Sequence, residues 1–182
     1  RTQTPSPSPS PPPSATPTST RTAEPPPRLL LPVLLRESCP PRAVFADVVL
    51  VLDASSSMSR VTSWGQTKLE LARAAVKTFL AGLRLERGKD RAAIVTFHAS
   101  ATTLQRLTSR RGDLEAALHR VSLGRQSRVD LAIERAMVEL LVRGRPEHMQ
   151  AMIVLSDGMA NPVPGDVAIG VAALAQEEGI HV

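Results

Sequence analysis

The sequence predicts an α/β protein built on an open, mostly parallel, doubly wound sheet with helices on both faces. Three observations carry this: short apolar runs alternate with amphipathic helical stretches, the runs show little polar alternation, and acidic turns follow two of them.

Residues 1–42 stand apart from that pattern. Up to about residue 28 they are almost all Pro, Ser and Thr with a few Arg, a composition that buries too little apolar surface to offset the entropy of ordering. The expectation is a disordered, semi-rigid linker followed by a folded domain over 43–182, with only three of the 16 prolines beyond Ala43.

The first strand is expected over Val44–Leu52, Val-Phe-Ala-Asp-Val-Val-Leu-Val-Leu, a run suited to burial on both faces, and it ends at Asp53. Between Gln66 and Glu86, apolar Leu69, Ala72, Val76, Phe79, Leu80 and Leu83 recur at helical spacing. Arg91–Phe97 reads as a second strand, Thr102–Leu107 as a short one returning along an edge, and Leu114–Val121 as a short helix. Val129, Ile133, Ala136, Met137, Leu140 and Leu141 mark a longer helix that stops near Gly144 and Pro146. Met149–Leu155 gives a further buried strand, and Asp166–Glu178 a helix with Gly179 as its stop. Ile180-His181-Val182 opens another strand, so the last strands and helix of such a fold are expected to be missing and the chain to be truncated at both ends.

Composition narrows the function classes. The net charge is +5, but five arginines against two glutamates place +3 of it before residue 44 and leave +2 for the rest. With one Trp, three Phe and no Tyr there is little to stack on bases, which argues against nucleic-acid binding. A single cysteine, Cys39, permits no internal disulfide or cysteine metal cluster. No apolar run approaches the roughly 20 residues that span a bilayer. Leu29–Leu35 is too short and lacks the basic start and small-residue cleavage site of a signal peptide.

In open α/β sheets ligands bind beyond the carboxyl ends of the strands. Two acidic turns fall there, Asp53-Ala54-Ser55-Ser56-Ser57 and Ser156-Asp157-Gly158. Asp53, Ser55 and Ser57 alternate along the first turn, so three oxygens can face one small space, and hard cations prefer oxygen. Each motif alone has a plainer reading. Ser and Asp satisfy free amides at turns and helix starts, Ser127-Arg128-Val129-Asp130 fits a helix cap with Asp130 in the third position, and Asp157-Gly158 fits an ordinary turn. His98, on the same edge, reads as a loop residue, and Glu134 as part of a solvated face.

Taken together, Asp-x-Ser-x-Ser after an apolar strand, a hydroxyl residue opening a later helix, and Ser-Asp-Gly after the next strand resemble the von Willebrand factor type A domain, over about residues 44–182. The resemblance implies that family's Rossmann-like fold and its metal-ion-dependent adhesion site, with Asp53, Ser55, Ser57, Ser127 and Asp157 as metal residues. Ser127 stands where the family has Thr; the hydroxyl is kept but the rotamer-restricting methyl is lost. Arg125-Gln126 stands where similar bacterial domains often have glycines.

The resemblance further implies one divalent ion, magnesium by expectation with manganese or calcium as alternatives, whose open position takes an Asp or Glu of a protein partner. Arg125 and Arg128 are candidates to attract such a partner. With the linker, this predicts a non-enzymatic adhesion or assembly module of a bacterial secreted or surface protein. The alternative is a cytoplasmic accessory subunit of a chelatase-like or other motor ATPase; the chain itself has no Gly-x-x-x-x-Gly-Lys-Ser/Thr loop.

Overall fold

Eight consecutive residues, Ala46–Asp53, are buried on both faces and form β1, the strand on which the domain is organised. A computed structural model describes residues 45–158 and 162–182. The expected linker over 1–42, the Leu29–Leu35 run, Cys39 and Asn161 lie outside the described residues.

β1 is flanked by two parallel neighbours, which is why its sequence shows no polar alternation. Asp47–Asp53 run beside Arg91–Phe97 of β2, and Ala46–Leu52 run beside Met149–Leu155 of β4. β3 (Ala101–Thr108) pairs antiparallel with β2 at the edge, so the order is β3-β2-β1-β4. Beyond β4, His181 forms a parallel bridge with Ala151, where the sequence predicts a further strand to begin.

The helices divide between the two faces. Val48, Leu50 and Leu52 pack with Val76 and Leu80 of α1 (Lys68–Gly82) and with Leu114, Ala117 and Leu118 of α2 (Arg111–His119). Val49 and Val51 point the other way, onto Ala132, Ile133, Ala136 and Leu140 of α3 (Val129–Arg143) and onto Ala168 and Ala175 of α4 (Gly165–Glu177). Truncating one of the fully buried leucines to alanine is expected to cost about 2–5 kcal/mol. Among the described residues no helix is long and apolar enough to cross a membrane.

Three local expectations are corrected. The first helix ends at Gly82, short of Glu86, because Leu83 turns extended and Leu83 and Leu85 fold back onto the core. α2 begins at Arg111, ahead of Leu114, since its polar first turn carries no apolar periodicity. Finally, Ser127 does not cap α3. Arg128 occupies the cap position without a side-chain cap bond, and Asp130 is buried against Arg128 instead of completing a cap with Ser127. Glu134 is exposed, as expected.

This topology sets up one special place. From β1 the chain moves through α1 to β2 on one side, then returns through α2 and α3 to β4 on the other. The loops leaving β1 and β4 therefore part from each other at the carboxyl edge, the position where open α/β sheets hold ligands.

Candidate metal centre

Asp53 is the last residue of β1, and its side chain shares the face of Val49 and Val51. It is fully buried. Its Oδ1 accepts from the Ser55 amide at 2.7 Å, and its Oδ2 accepts from Ser127 Oγ at 3.2 Å and Ser156 Oγ at 2.6 Å. Every one of these donors is neutral. Among the described residues no cationic side chain pairs with Asp53 in a salt bridge.

The loop after Asp53 is held from below. Ala54 and Met58 are buried against Leu69 and Ala72 of α1 and against Val121, so the single 3-10 turn at Ser56–Ser59 cannot drift. Its serines stay on the upper side: Ser55 Oγ lies 2.9 Å from Ser57 Oγ, and Ser57 Oγ donates to Asp157 Oδ1 at 2.8 Å. The sequence-predicted residues thus lie on one hydrogen-bonded path, Ser127 to Asp53 to Ser55 to Ser57 to Asp157.

The Ser127 loop is fastened to the same edge. Gly124 N donates to Ala54 O at 2.8 Å, and Arg128 N donates to His98 O at 2.9 Å. Gly124 must be glycine, because a Cβ there would stand 2.5 Å from the His98 ring. His98 is thereby accounted for by packing, and its Nδ1 accepts from the Ala99 amide at 2.7 Å. Gln126, between these anchors, has φ of 67°, a left-handed conformation that costs a non-glycine residue roughly 1–2 kcal/mol.

The two arginines proposed from sequence differ. Arg125 is exposed beside the site. Arg128 is engaged by Asp130, with Nη2 to Oδ2 at 2.8 Å, and that guanidinium holds the Asp130 carboxyl below its ordinary range against the upward pull of burial. Its charge is therefore largely offset within the chain.

Two contributors were not singled out from sequence. Ser156 had no assigned role although it adjoins Asp157, and its contact with Asp53 depends on β4 lying beside β1. Lys68 is the other: its Nζ meets Asp157 Oδ2 at 2.6 Å from across the sheet edge. Burial pulls the Asp157 carboxyl upward, but hydrogen bonds from Lys68 and Ser57 and the charges of Lys68 and Arg60 leave it below its ordinary value. A spacing motif cannot reveal Lys68, since it lies 89 residues from its partner.

The donor set suits a hard cation. It offers two carboxylates, one fully buried without a paired cation, and three hydroxyls, of which Ser127 meets Asp53, Ser57 meets Asp157 and Ser55 meets Ser57. Among the described residues no group of three or more His, Cys, Asp or Glu gathers, so the oxygen character of the site comes largely from serine.

Solved structures with the same architecture are similar over about three quarters of this chain. The VWA domain of SpRpn10 has 16% identity and a TM-score of 0.67, covering 75% of this chain and 72% of that one. A serine-substituted aerotolerance-related membrane protein from Bacteroides fragilis has 21% identity and a TM-score of 0.63, covering 74% and 64%. Proximal thread matrix protein 1 from the mussel byssus, with a zinc-occupied MIDAS motif, has 25% identity and a TM-score of 0.61, covering 75% and 34%. The chain thus spans less than two thirds of the bacterial relative's length. No curated protein compared with the chain matches it. The family model described as the von Willebrand factor type A domain matches residues 48–159, from within β1 past the Asp157 turn, and the chain belongs to that family.

Proposed function

We propose that this chain is a divalent-cation-dependent protein-binding module in which Asp53, Ser55, Ser57, Ser127 and Asp157 hold the ion. Magnesium is the expected metal, with manganese or calcium as alternatives. The observation that carries the reading is Asp53, a carboxylate with no exposed surface whose partners are two hydroxyls and an amide. A buried carboxylate without counter-charge is costly, and a divalent cation offsets that cost.

When bound, the ion supplies a Lewis-acidic position that a partner's Asp or Glu completes. The chain's own residues do the rest. Asp53 provides buried negative charge, the serines provide neutral oxygens that leave the ion electrophilic, and Asp157 sits at the rim, where Lys68 holds it toward solvent-side charge. The serines' hydrogen-bond partners include no histidine, which supports binding over hydrolysis.

The Pro/Ser/Thr composition before residue 43 supports display outside the cell on a stalk, for adhesion or assembly, as does the likeness to a bacterial membrane protein. A second reading is an intracellular accessory subunit, supported by the similarity to the SpRpn10 domain. Calorimetric titration of the chain with magnesium or manganese tests the core of the proposal. Saturable binding that Asp53→Ala abolishes is expected; equal affinity in both proteins overturns it. Localising the protein to the cell surface or the cytoplasm separates the two readings.

A further inference from the structure

The single tryptophan of the chain lies four residues before Lys68, the partner of Asp157, and it is displayed to solvent. Trp64 is 58% exposed and Val61 67% exposed, in the segment that joins the Ser56–Ser59 turn to α1. This segment is not a loose loop. Val61 bridges Thr67, Thr62 N and Oγ1 both donate to Gln66 O, Gly65 N donates to Thr62 O with Gly65 at φ of 78°, and Lys68 N donates to Arg60 O. A capping box between Thr67 and Glu70 fixes its far end. The result is a small hairpin whose tip carries a largely exposed indole.

The base of this hairpin adjoins Asp157. Arg60 and Lys68 flank it, Lys68 reaches Asp157 directly, and the Arg60 charge acts on the same carboxylate. Lys68 occupies the first turn of α1, where the helix dipole disfavours a cation, so helix stability does not account for its placement. Leu123 is also 45% exposed and adjoins Gly124, which is tied to Ala54 and Ser55. Exposed apolar side chains therefore stand on two segments tied to the Asp53–Ser57 loop or to Asp157.

Resting on the proposed metal-dependent reading, we infer that the partner is a protein segment carrying an acidic residue with an apolar or aromatic residue within about four positions of it. The acid meets the ion and the exposed Arg60 and Arg125 charges, and the apolar side chain packs on Trp64 and Val61. The spacing follows from chain length: Trp64 is four residues from both Arg60 and Lys68, at most about 13 Å of extended backbone. Charge complementarity selects an acidic segment over a basic one, and a rigid exposed indole is the kind of anchor that carries binding energy at interfaces.

The test is selection of a phage-displayed random dodecapeptide library on the immobilised chain in magnesium, with elution by EDTA, using the native protein and Trp64→Ser in parallel. Circular dichroism and magnesium affinity show whether the variant retains fold and site, as expected for a largely exposed side chain. The native protein is expected to enrich peptides with an acid and a nearby apolar residue. Trp64→Ser should keep the acid, lose the apolar preference and bind the selected peptides at least tenfold more weakly. Those peptides should also shift the fluorescence of the native protein, which reports Trp64 alone. Enrichment of acids without an apolar neighbour, or equal affinity for both proteins, overturns the inference and leaves the metal-dependent reading standing. An EDTA-eluted pool with no acidic enrichment overturns both.

Discussion

Asp47 and Asp53 lie on the same strand and the same face, six residues apart, and both are fully buried, yet they are handled in opposite ways. At the amino end of β1, Asp47 is met by charge. Arg91 binds it with two nitrogens, Arg145 supplies its amide at 2.8 Å and a guanidinium at 3.8 Å, and His148 Nδ1 lies 3.4 Å away. At the carboxyl end, Asp53 receives hydroxyls and one amide. A buried carboxylate neutralised by the chain's own cations is a structural tie. One given only neutral donors keeps its charge uncompensated within the described residues, which is what the proposed metal site requires.

Removing the charge from each aspartate is therefore expected to have opposite signs. Asp47→Asn leaves Arg91 without its counter-charge and should lower stability by about 3–5 kcal/mol in denaturant unfolding, with metal affinity unchanged. The same tie predicts the acid response. Burial raises the Asp47 carboxyl, but Arg91, the Arg145 amide and His148 together bring it below its ordinary value. A depressed folded pKa gives stability that is present above the ordinary carboxylate range, about pH 4, and lost as pH falls through the lower folded value. Asp47→Asn should thus flatten the acid limb of the stability curve, and an unaltered acid limb would remove Asp47 from that role.

Asp53→Asn should leave metal-free stability unchanged or raise it by up to about 2 kcal/mol, because a buried charge without a paired cation is removed. It should also abolish the gain of about 2.7 kcal/mol that a bound ion gives at a hundredfold excess over its Kd. A metal-free loss as large as that of Asp47→Asn would erase the contrast between the two ends of the strand.

Lys68 sharpens the comparison at the rim. Its pair with Asp157 is partly exposed, so the expected effect is modest: Lys68→Met should tighten magnesium binding roughly two- to fivefold by removing a competing cation. Weaker binding in the variant would show instead that Lys68 is needed to orient Asp157. The smallest effect is expected at Gln126, whose left-handed backbone favours glycine. Gln126→Gly should gain at most about 1 kcal/mol, since relief of strain is partly cancelled by greater freedom in the unfolded chain. A thermal melt resolves it, and a loss would mean that the Gln126 side chain makes compensating contacts.

Strand and helix periods made most elements legible, because burial imposes period 2 or 3.6 on a chain however it is later packed. The doubled burial of Val48–Leu52 foretold the parallel centre of the sheet. Helix ends were less legible, as at Gly82 and Arg111, since capping and chain reversal depend on neighbours outside the window. Ser127 shows the same limit more sharply. Its local sequence fits a cap, and only the approach of the α3 loop to β1 turns its hydroxyl onto Asp53.

By itself the sequence determined the α/β class, the edge of the sheet where acidic turns fall, and the alternation of Asp53, Ser55 and Ser57 along one turn. Those are properties of residue type and spacing along a single segment or two. Tertiary structure alone decided that Ser156 and Ser127 share Asp53, that Lys68 reaches Asp157 from 89 residues away, and that Arg128 is spent on Asp130. It also decided that Asp47 is neutralised and Asp53 is not. The reason is physical: a carboxylate's role is set by the charges that reach it through space, and strand order, not sequence distance, governs which charges those are.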